Sequence, residues 1–380
     1  MPGGVISNNN QENKDMSETA ARLAALRERM QKNRVDLVAL GPGSHMQWLV
    51  GFHPHADERP CLLLVSCSGE CFLMPALNAE GSREETDIAF HTWADDEGPD
   101  KALAAALGSI GAGNADCVVV DETMRADFAL LLLAALPGAR YAFTDDTVGA
   151  LRMRKDEGEF ARLRASAAVA DRAMQKAFAS ICPGMSEREL ASIVSDHFAS
   201  ESASTLFTIV GGAGNGAFPH HQTGDRKFIK GDAVVIDIGA RKDGFPSDIT
   251  RMVAVGSPPD GYEEVHAIVE RAVQAAMKAA RPGVKAKDVD AAARTVIADA
   301  GYGEYFVHRT GHGLGIDGHE PPYITSTSET VLEEGMVFSI EPGIYLPGRF
   351  GIRLEDIVIL RADGPEIFSD LPRDLHIAGA

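Results

Sequence analysis

The most constraining feature of this chain is an acid at the end of a buried-looking strand, written twice. Gly231 leads Asp-Ala-Val-Val-Ile to Asp237, and Gly335 leads Met-Val-Phe-Ser-Ile to Glu341, so each acid falls six residues after the glycine. Short apolar runs rich in β-branched residues read as strands covered on both faces. Each is followed by a second acid, Asp248 in SDIT and Glu355 in LEDI. Each is also preceded by a Pro-Gly turn and a helical segment: Pro183-Gly184 before SERELASIV and, 99 residues later, Pro282-Gly283 before KAKDVDAAA. One such order could arise by chance. Two of them predict a pair of half-domains, related by a pseudo-two-fold axis, that face one site and give it two carboxylates each.

An ionised carboxylate in an apolar strand costs several kcal/mol unless something neutralises it. Four together would repel one another and be driven to protonate. Each acid singly could cap a turn or pair with an arginine, with Arg251 and Arg353 as candidate partners. Two divalent cations would balance all four. An oxygen-rich set of Asp237, Asp248, Glu341, Glu355 and one imidazole suits Mn²⁺, with Co²⁺ or Zn²⁺ able to compete. Two such ions roughly 3.5–4 Å apart polarise a carbonyl and activate water, so hydrolysis of an amide or ester is the natural reaction. Histidines are densest in HRTGHGLGIDGHE at 308–320. His308 and His312 have the spacing of a helical zinc pair, but Arg309 stands where that motif needs Glu. Four glycines between 311 and 318 favour extended or turning backbone instead.

Composition narrows the partners. Lys and Arg total 36 against 55 Asp and Glu, a formal charge of -19. That disfavours nucleic acid and anionic membrane surfaces. The apolar run at 128–136 is too short to cross a bilayer. Five cysteines, an odd count with no Cys-x-x-Cys pair, suit a reduced, cytoplasmic setting. A chain of 380 residues is long enough for two domains. The polar stretch 1–16 reads as a disordered leader. Helices expected at 17–33, 101–110 and 125–135 alternate with strands at 36–40, 61–66, 70–74 and 117–120, an α/β N-terminal domain over 17–150. The charged stretch LRMRKDEGEF opens a long helix expected over 151–181 and a second domain over 151–380, giving an α+β chain overall. The glycine-rich GGAGNG at 211–216 lacks the spacing of a dinucleotide loop.

The segments DIGARKDGFPSDITR, HRTGHGLGIDGHE, EPGIY and RLEDIV together resemble the pita-bread metallopeptidases, specifically their proline-directed branch of prolidase and aminopeptidase P. The resemblance covers about 151–370, and the smaller domain before it is similar to the N-terminal domain of the same branch. It implies a pita-bread catalytic domain. It also implies two divalent metal ions held by Asp237, Asp248, His312, Glu341 and Glu355, with Asp248 and Glu355 bridging. By the same resemblance His220, His308 and His319 line the substrate site and His319 hydrogen-bonds the scissile peptide. Glu341 acts on the attacking water, Arg353 orients ligands, and the protein is a homodimer that cleaves small peptides.

Xaa-Pro bonds lack the N–H that ordinary proteases engage, and Phe218, Pro219 and Tyr323 are candidates to pack on the ring. One departure bears on specificity. Some prolidases carry an arginine a few residues after the position of His319, where it binds the free proline carboxylate. Here the segment reads His-Glu-Pro-Pro-Tyr-Ile, with no Arg or Lys before Glu341. Either another residue, with Arg349 as a candidate, supplies the cation, or longer peptides are accepted. Xaa-Pro dipeptidase is slightly favoured over Xaa-Pro aminopeptidase. A metal-dependent hydrolase of another small amide and a non-catalytic binding module are the remaining alternatives.

Overall fold

The computed structural model describes residues 5–379, with side chains described from Glu18 onward. The chain divides into two compact units, Met1–Arg152 and Met153–Ala380. No helix among the described residues is long and apolar enough to cross a membrane.

The first unit contains α1 (Val5–Asn33), β1 (Leu37–Leu40), α2 (Ser44–Val50), β2 (Leu62–Ser66), β3 (Glu70–Pro75), α3 (Ala76–Ser82), β4 (Ala89–Trp93), α4 (Asp100–Ser109), β5 (Cys117–Val120), α5 (Ala126–Ala135), β6 (Arg140–Ala142) and α6 (Val148–Arg152). Its six strands form one mixed sheet in the order β4-β3-β2-β1-β5-β6. Residues 1–4 of the expected leader lie outside the described residues. The first helix begins at Val5, ahead of the Ser17 start read from the sequence. No Pro or Gly stands between Val5 and Asn33 to stop it.

The second unit opens with α7 (Glu157–Ser180) and α8 (Glu187–Ser200), then β7 (Ser204–Gly212), β8 (Ala233–Lys242), β9 (Phe245–Pro246) and β10 (Ile249–Val255). A second helix pair, α9 (Tyr262–Ala279) and α10 (Ala286–Asp299), leads into β11 (Gly311–Gly313), β12 (Glu320–Ile324), β13 (Val337–Ile340), β14 (Gly343–Leu346), β15 (Phe350–Arg353), β16 (Asp356–Arg361), β17 (Gly364–Ile367) and β18 (His376–Ala378). The first half builds a sheet on the order β18-β10-β8-β7 with β9 against β8, and the second builds β12-β11-β13-β16-β17. The helix expected at 151–181 is two helices. The break comes where Lys155 donates its backbone N–H to the Gly335 carbonyl and Asp156 caps α7 in a reciprocal capping box with Glu159. That tertiary bond and cap decide the boundary against a run whose composition alone is helical.

Strand parity aims the acids. On β8, Val234, Ile236, Ile238 and Ala240 pack with α7 and α8, while Ala233 and Val235 lie on the opposite face with Tyr262 and Phe350. Side chains alternate faces along a strand, so Asp237 continues the 233–235 row, away from the helices. On β13 and β16, Phe338, Ile340, Val358 and Leu360 pack with α9 and α10, while Val337, Ile357 and Ile359 form a separate cluster with Leu163 and Leu314. Glu341 and Glu355 extend that second row. Asp237 sits inside β8, which runs on to Lys242, rather than at a strand end as its sequence suggests.

Candidate metal centre

A tight hairpin brings the first pair of acids together. Asp243 and Gly244 both have positive φ, at 49° and 83°, the backbone of a two-residue primed turn. The turn pairs Lys242 with Phe245, after which Thr250 falls opposite Asp237. The second pair is gathered by close approach of β11 to β13. Gly313 pairs with Phe338, the Glu341 N–H donates to the Thr310 carbonyl at 2.8 Å, and the His312 N–H donates to Ser339 Oγ at 2.9 Å. Gly311 permits this approach: an added Cβ would lie 1.9 Å from the Ser339 carbonyl oxygen.

The four acids and His312 converge. Donor atoms of Asp237, Asp248 and Glu355 lie within 4.8 Å of one another, as do those of His312, Glu341 and Glu355. Glu355 belongs to both groups. Asp248 forms a third group with His312 and His319. His312 Nε2 is 3.4 Å from Glu341 Oε1 and 3.7 Å from Asp248 Oδ2. Its Nδ1 faces the Gly313 carbonyl at 3.1 Å and must donate there, which leaves Nε2 as a bare lone pair aimed at the acids.

The electrostatics mark the cluster as one built for cations. Burial raises the Asp248 carboxyl well above its ordinary range, and the Glu355 and Asp237 charges add to that. Burial raises Glu355 likewise, helped by Glu341 and Asp237. Glu341 is pushed up to about 7, chiefly by burial, with Arg353 opposing and Asp237 adding. His312 is held neutral, its pKa lowered to about 3 by burial and by His319. Asp237 Oδ1 is buried with no hydrogen-bond partner. An orphaned carboxylate oxygen, a bare imidazole nitrogen and three acids pushed toward protonation fit a pair of divalent ions, with Glu355 in reach of both.

Arginine does not neutralise the set. Arg251 is fully buried, but it pairs with Asp356 at 2.7 Å and with backbone carbonyls. Arg353 binds Asp237 Oδ2 and also donates to Thr250 Oγ1 at 3.1 Å, Tyr345 Oη at 2.8 Å and the Pro219 carbonyl at 3.3 Å. Thr250 in turn donates to Glu355 Oε2 at 2.6 Å. One guanidinium therefore orients acids from both halves.

The histidines differ in setting. His308 Nδ1 donates to the Arg309 carbonyl at 2.7 Å, so its Nε2 accepts from Tyr345 Oη at 2.7 Å. Donors thus run in one direction, from Arg353 through Tyr345 to His308. Burial lowers the His308 pKa to about 3 and raises Tyr345 to about 12. His319 is exposed, its ring centroid 3.8 Å from that of His312. His220 is exposed on the turn after β7. Its loop is fixed by buried Glu187, which accepts from the Gly212 N–H, Asn215, His221 and the Gly224 N–H.

Four contributors were not singled out from the sequence. Tyr345 stood in EPGIY and Thr250 in SDIT without a role, and Ser339, two residues before Glu341, and Arg309, next to His308, carried no signal of their own. Arg349, the candidate for binding a substrate carboxylate, donates to the Asp260 carbonyl at 2.9 Å and lies over Phe350. That bond ties one end of its guanidinium to the turn before α9.

Comparison with known proteins places this geometry. The pattern describing metallopeptidase family M24 matches residues 161–362, and that of the Creatinase/Prolidase N-terminal domain matches 22–154. The Xaa-Pro dipeptidase of Pyrococcus horikoshii is 33% identical over 350 residues, 92% of this chain and 96% of its own. The crystal structure of dipeptidase PepE from Mycobacterium ulcerans superposes with a TM-score of 0.90 at 36% identity, covering 95% of this chain and 98% of that one. The X-Pro aminopeptidase from Thermotoga maritima superposes at 0.77 with 30% identity, covering 92% and 100%.

Proposed function

The chain belongs to metallopeptidase family M24, and from that premise we propose that it is an Xaa-Pro dipeptidase acting through two divalent metal ions. The observation that carries this is the pair of donor groups that share Glu355. Asp237, Asp248, His312, Glu341 and Glu355 would hold the ions in this reading. When bound, the ions supply positive charge that polarises a carbonyl and makes water a stronger acid. The oxygen-rich donors favour Mn²⁺, with Co²⁺ or Zn²⁺ as competitors.

The chain's own groups do the rest. Glu341, with one oxygen accepting from Ser339 Oγ, would accept a proton from the attacking water at its other oxygen. His319 donates from Nε2 to the scissile carbonyl. Arg353 holds Asp237 and keeps Thr250 on Glu355. His308, hydrogen-bonded to Tyr345, and His220 border the substrate, and Phe218, Pro219 and Tyr323 offer apolar surface to the pyrrolidine ring. Five free cysteines suit a cytoplasmic protein, and the family resemblance favours a homodimer.

Xaa-Pro aminopeptidase is the second reading, favoured by the lack of any Arg or Lys between His319 and Glu341. Assaying Ala-Pro, Ala-Pro-Ala and Ala-Ala with added Mn²⁺ separates the two. Turnover of Ala-Pro alone is expected. Cleavage of Ala-Pro-Ala selects the aminopeptidase, and activity on none of the three overturns both.

A further inference from the structure

We propose that Arg309 is the cation that receives the free carboxylate of an Xaa-Pro dipeptide, and that it is what restricts this site to dipeptides; the proposal rests on the Xaa-Pro reading above. Arg309 Nη2 lies 3.2 Å from His319 Nδ1. Guanidinium can only donate, so His319 must accept at Nδ1 and carry its proton on Nε2. That is the tautomer needed to donate to a scissile carbonyl. The guanidinium carbon sits 4.7 Å from the centroid of Tyr323, whose ring face holds it. Arg309 makes no ion pair with any carboxylate among the described residues. Four of its five N–H donors are therefore left for a ligand.

Arg353, Lys155 and Arg294 are committed to protein acceptors. Arg353 is spent on Asp237, Thr250 and Tyr345. Lys155 is buried against Glu320 at 2.5 Å, and the exposed Arg349 donates one N–H to the Asp260 carbonyl and lies over Phe350 beside the start of α9. Arg294 pairs with Asp290 and grips the Phe306 and His308 carbonyls, while the Thr310 N–H donates to Asp290 at 3.1 Å. These bonds anchor the backbone on both sides of Arg309, so its side chain starts from a fixed base. Its charge reaches inward, contributing to the lowered pKa of His312 and His319 and opposing the rise at Glu341.

The distances match a dipeptide. One residue of chain advances about 3.8 Å, and Arg309 lies one hydrogen bond beyond His319. With His319 on the scissile carbonyl, the carboxylate of the following proline comes within reach of the guanidinium fork, which suits it bidentately. A peptide that continues past proline would place a neutral amide against an unpaired guanidinium.

The test compares Ala-Pro with Ala-Pro-amide in the Mn²⁺-loaded wild type, Arg309→Met and Arg309→Lys, alongside calorimetric binding of L-proline and L-prolinamide. The wild type is expected to prefer the acid. Arg309→Met should lose about 10- to 100-fold more in kcat/KM on Ala-Pro than on the amide, the excess carried by KM, beyond any loss common to both from freeing the His319 ring. Arg309→Lys should recover part of the loss, since it keeps the charge without the fork. Equal losses on both substrates, carried by kcat, would reduce Arg309 to a positioning residue for His319 and overturn the clamp. So would a wild type that treats acid and amide alike. If the wild type cleaves neither, the Xaa-Pro reading fails, and the calorimetry still decides. Proline binding weakened about 10-fold or more by Arg309→Met, with prolinamide unaffected, upholds a carboxylate site, and no such difference refutes it.

Discussion

Replacing Glu341 with Gln removes one charge from the four-acid cluster while keeping its shape and an oxygen for the hydrogen bond from Ser339 Oγ, which stands at 3.0 Å. In chelator-treated protein, that charge is a liability. The Glu341 carboxyl is pushed up to about 7 from an ordinary 4.5, mainly by burial. A folded-state pKa above the unfolded one stabilises the fold below pH 4.5, and that stability is lost as pH rises through about 7. At 1.36 kcal/mol per pH unit, the loss is about 3 kcal/mol. Gln mimics the protonated acid at every pH. Chelated Glu341→Gln should therefore match wild type near pH 4.5 and exceed it by about 3 kcal/mol at pH 8. His308 and His312, lowered to about 3, contribute stability that is lost as pH falls below 6.5 in both proteins, whereas Asp248 and Glu355, raised in part by the Glu341 charge, relax in the variant and widen the difference at pH 8. Scanning calorimetry of both proteins between pH 4.5 and 8 reads the result. Adding Mn²⁺ should reverse the order if Glu341 is a ligand as proposed, because the variant would hold the ions with one fewer carboxylate. A constant stability difference across that range, or a variant less stable at pH 8 without metal, would show that the acids are neutralised by something other than bound cations.

Three further outcomes are expected. Gly311→Ala drives a Cβ to within 1.9 Å of the Ser339 carbonyl, so β11 must move off β13 and carry His312 with it; metal content by atomic absorption and the thermal midpoint should both fall. Glu187→Gln replaces the buried acceptor of four hydrogen bonds that fix the His220 loop, and should cost about 1–3 kcal/mol of stability and reduce kcat while metal content is unchanged. The Glu187 carboxyl is lowered despite burial because those donors favour its ionised form, so the variant's deficit should shrink as pH falls below 4.5. Arg353→Lys cannot reach Asp237, Thr250 and Tyr345 together, and should lower activity about 10- to 100-fold in a folded protein; full activity would remove Arg353 from the site.

What the sequence made legible was the part written in local periodicity. Asp237 and Glu341 stand out because an apolar strand should not end in an acid, and the doubled order of turn, helix, strand and acid exposes the two halves. Parity then aims Asp237, Asp248, Glu341 and Glu355 away from their flanking helices, a consequence of alternation that needs no long-range information. Residues whose importance arises only from non-local contact were not legible. Tyr345 matters because a hairpin returns it to His308 and Arg353, and Arg309 because a glycine-rich loop returns His319 to it ten positions later. The break before α7 is of the same kind. Nothing within LRMRKDEGEF announces that the Lys155 N–H will be taken by the carbonyl of Gly335.

Neither half of the second unit carries a complete site, and the bonds between them explain why both are needed. Thr250 from the first half donates to Glu355 of the second, and Arg353 from the second holds Asp237 of the first. Asp237 is thus given one guanidinium for one oxygen while its other oxygen has no partner. A second arginine at that oxygen would satisfy it and leave no lone pair for a cation. Pairing one oxygen and leaving the other bare fixes the carboxylate's orientation with a lone pair free for a cation, so Arg353 prepares Asp237 as a ligand rather than neutralising it. Arg353→Met should accordingly weaken Mn²⁺ affinity in equilibrium dialysis about 10-fold in a folded protein, because Asp237 is then free to turn its bare oxygen away. Unchanged affinity would show that Asp237 needs no partner to hold its bare oxygen in place.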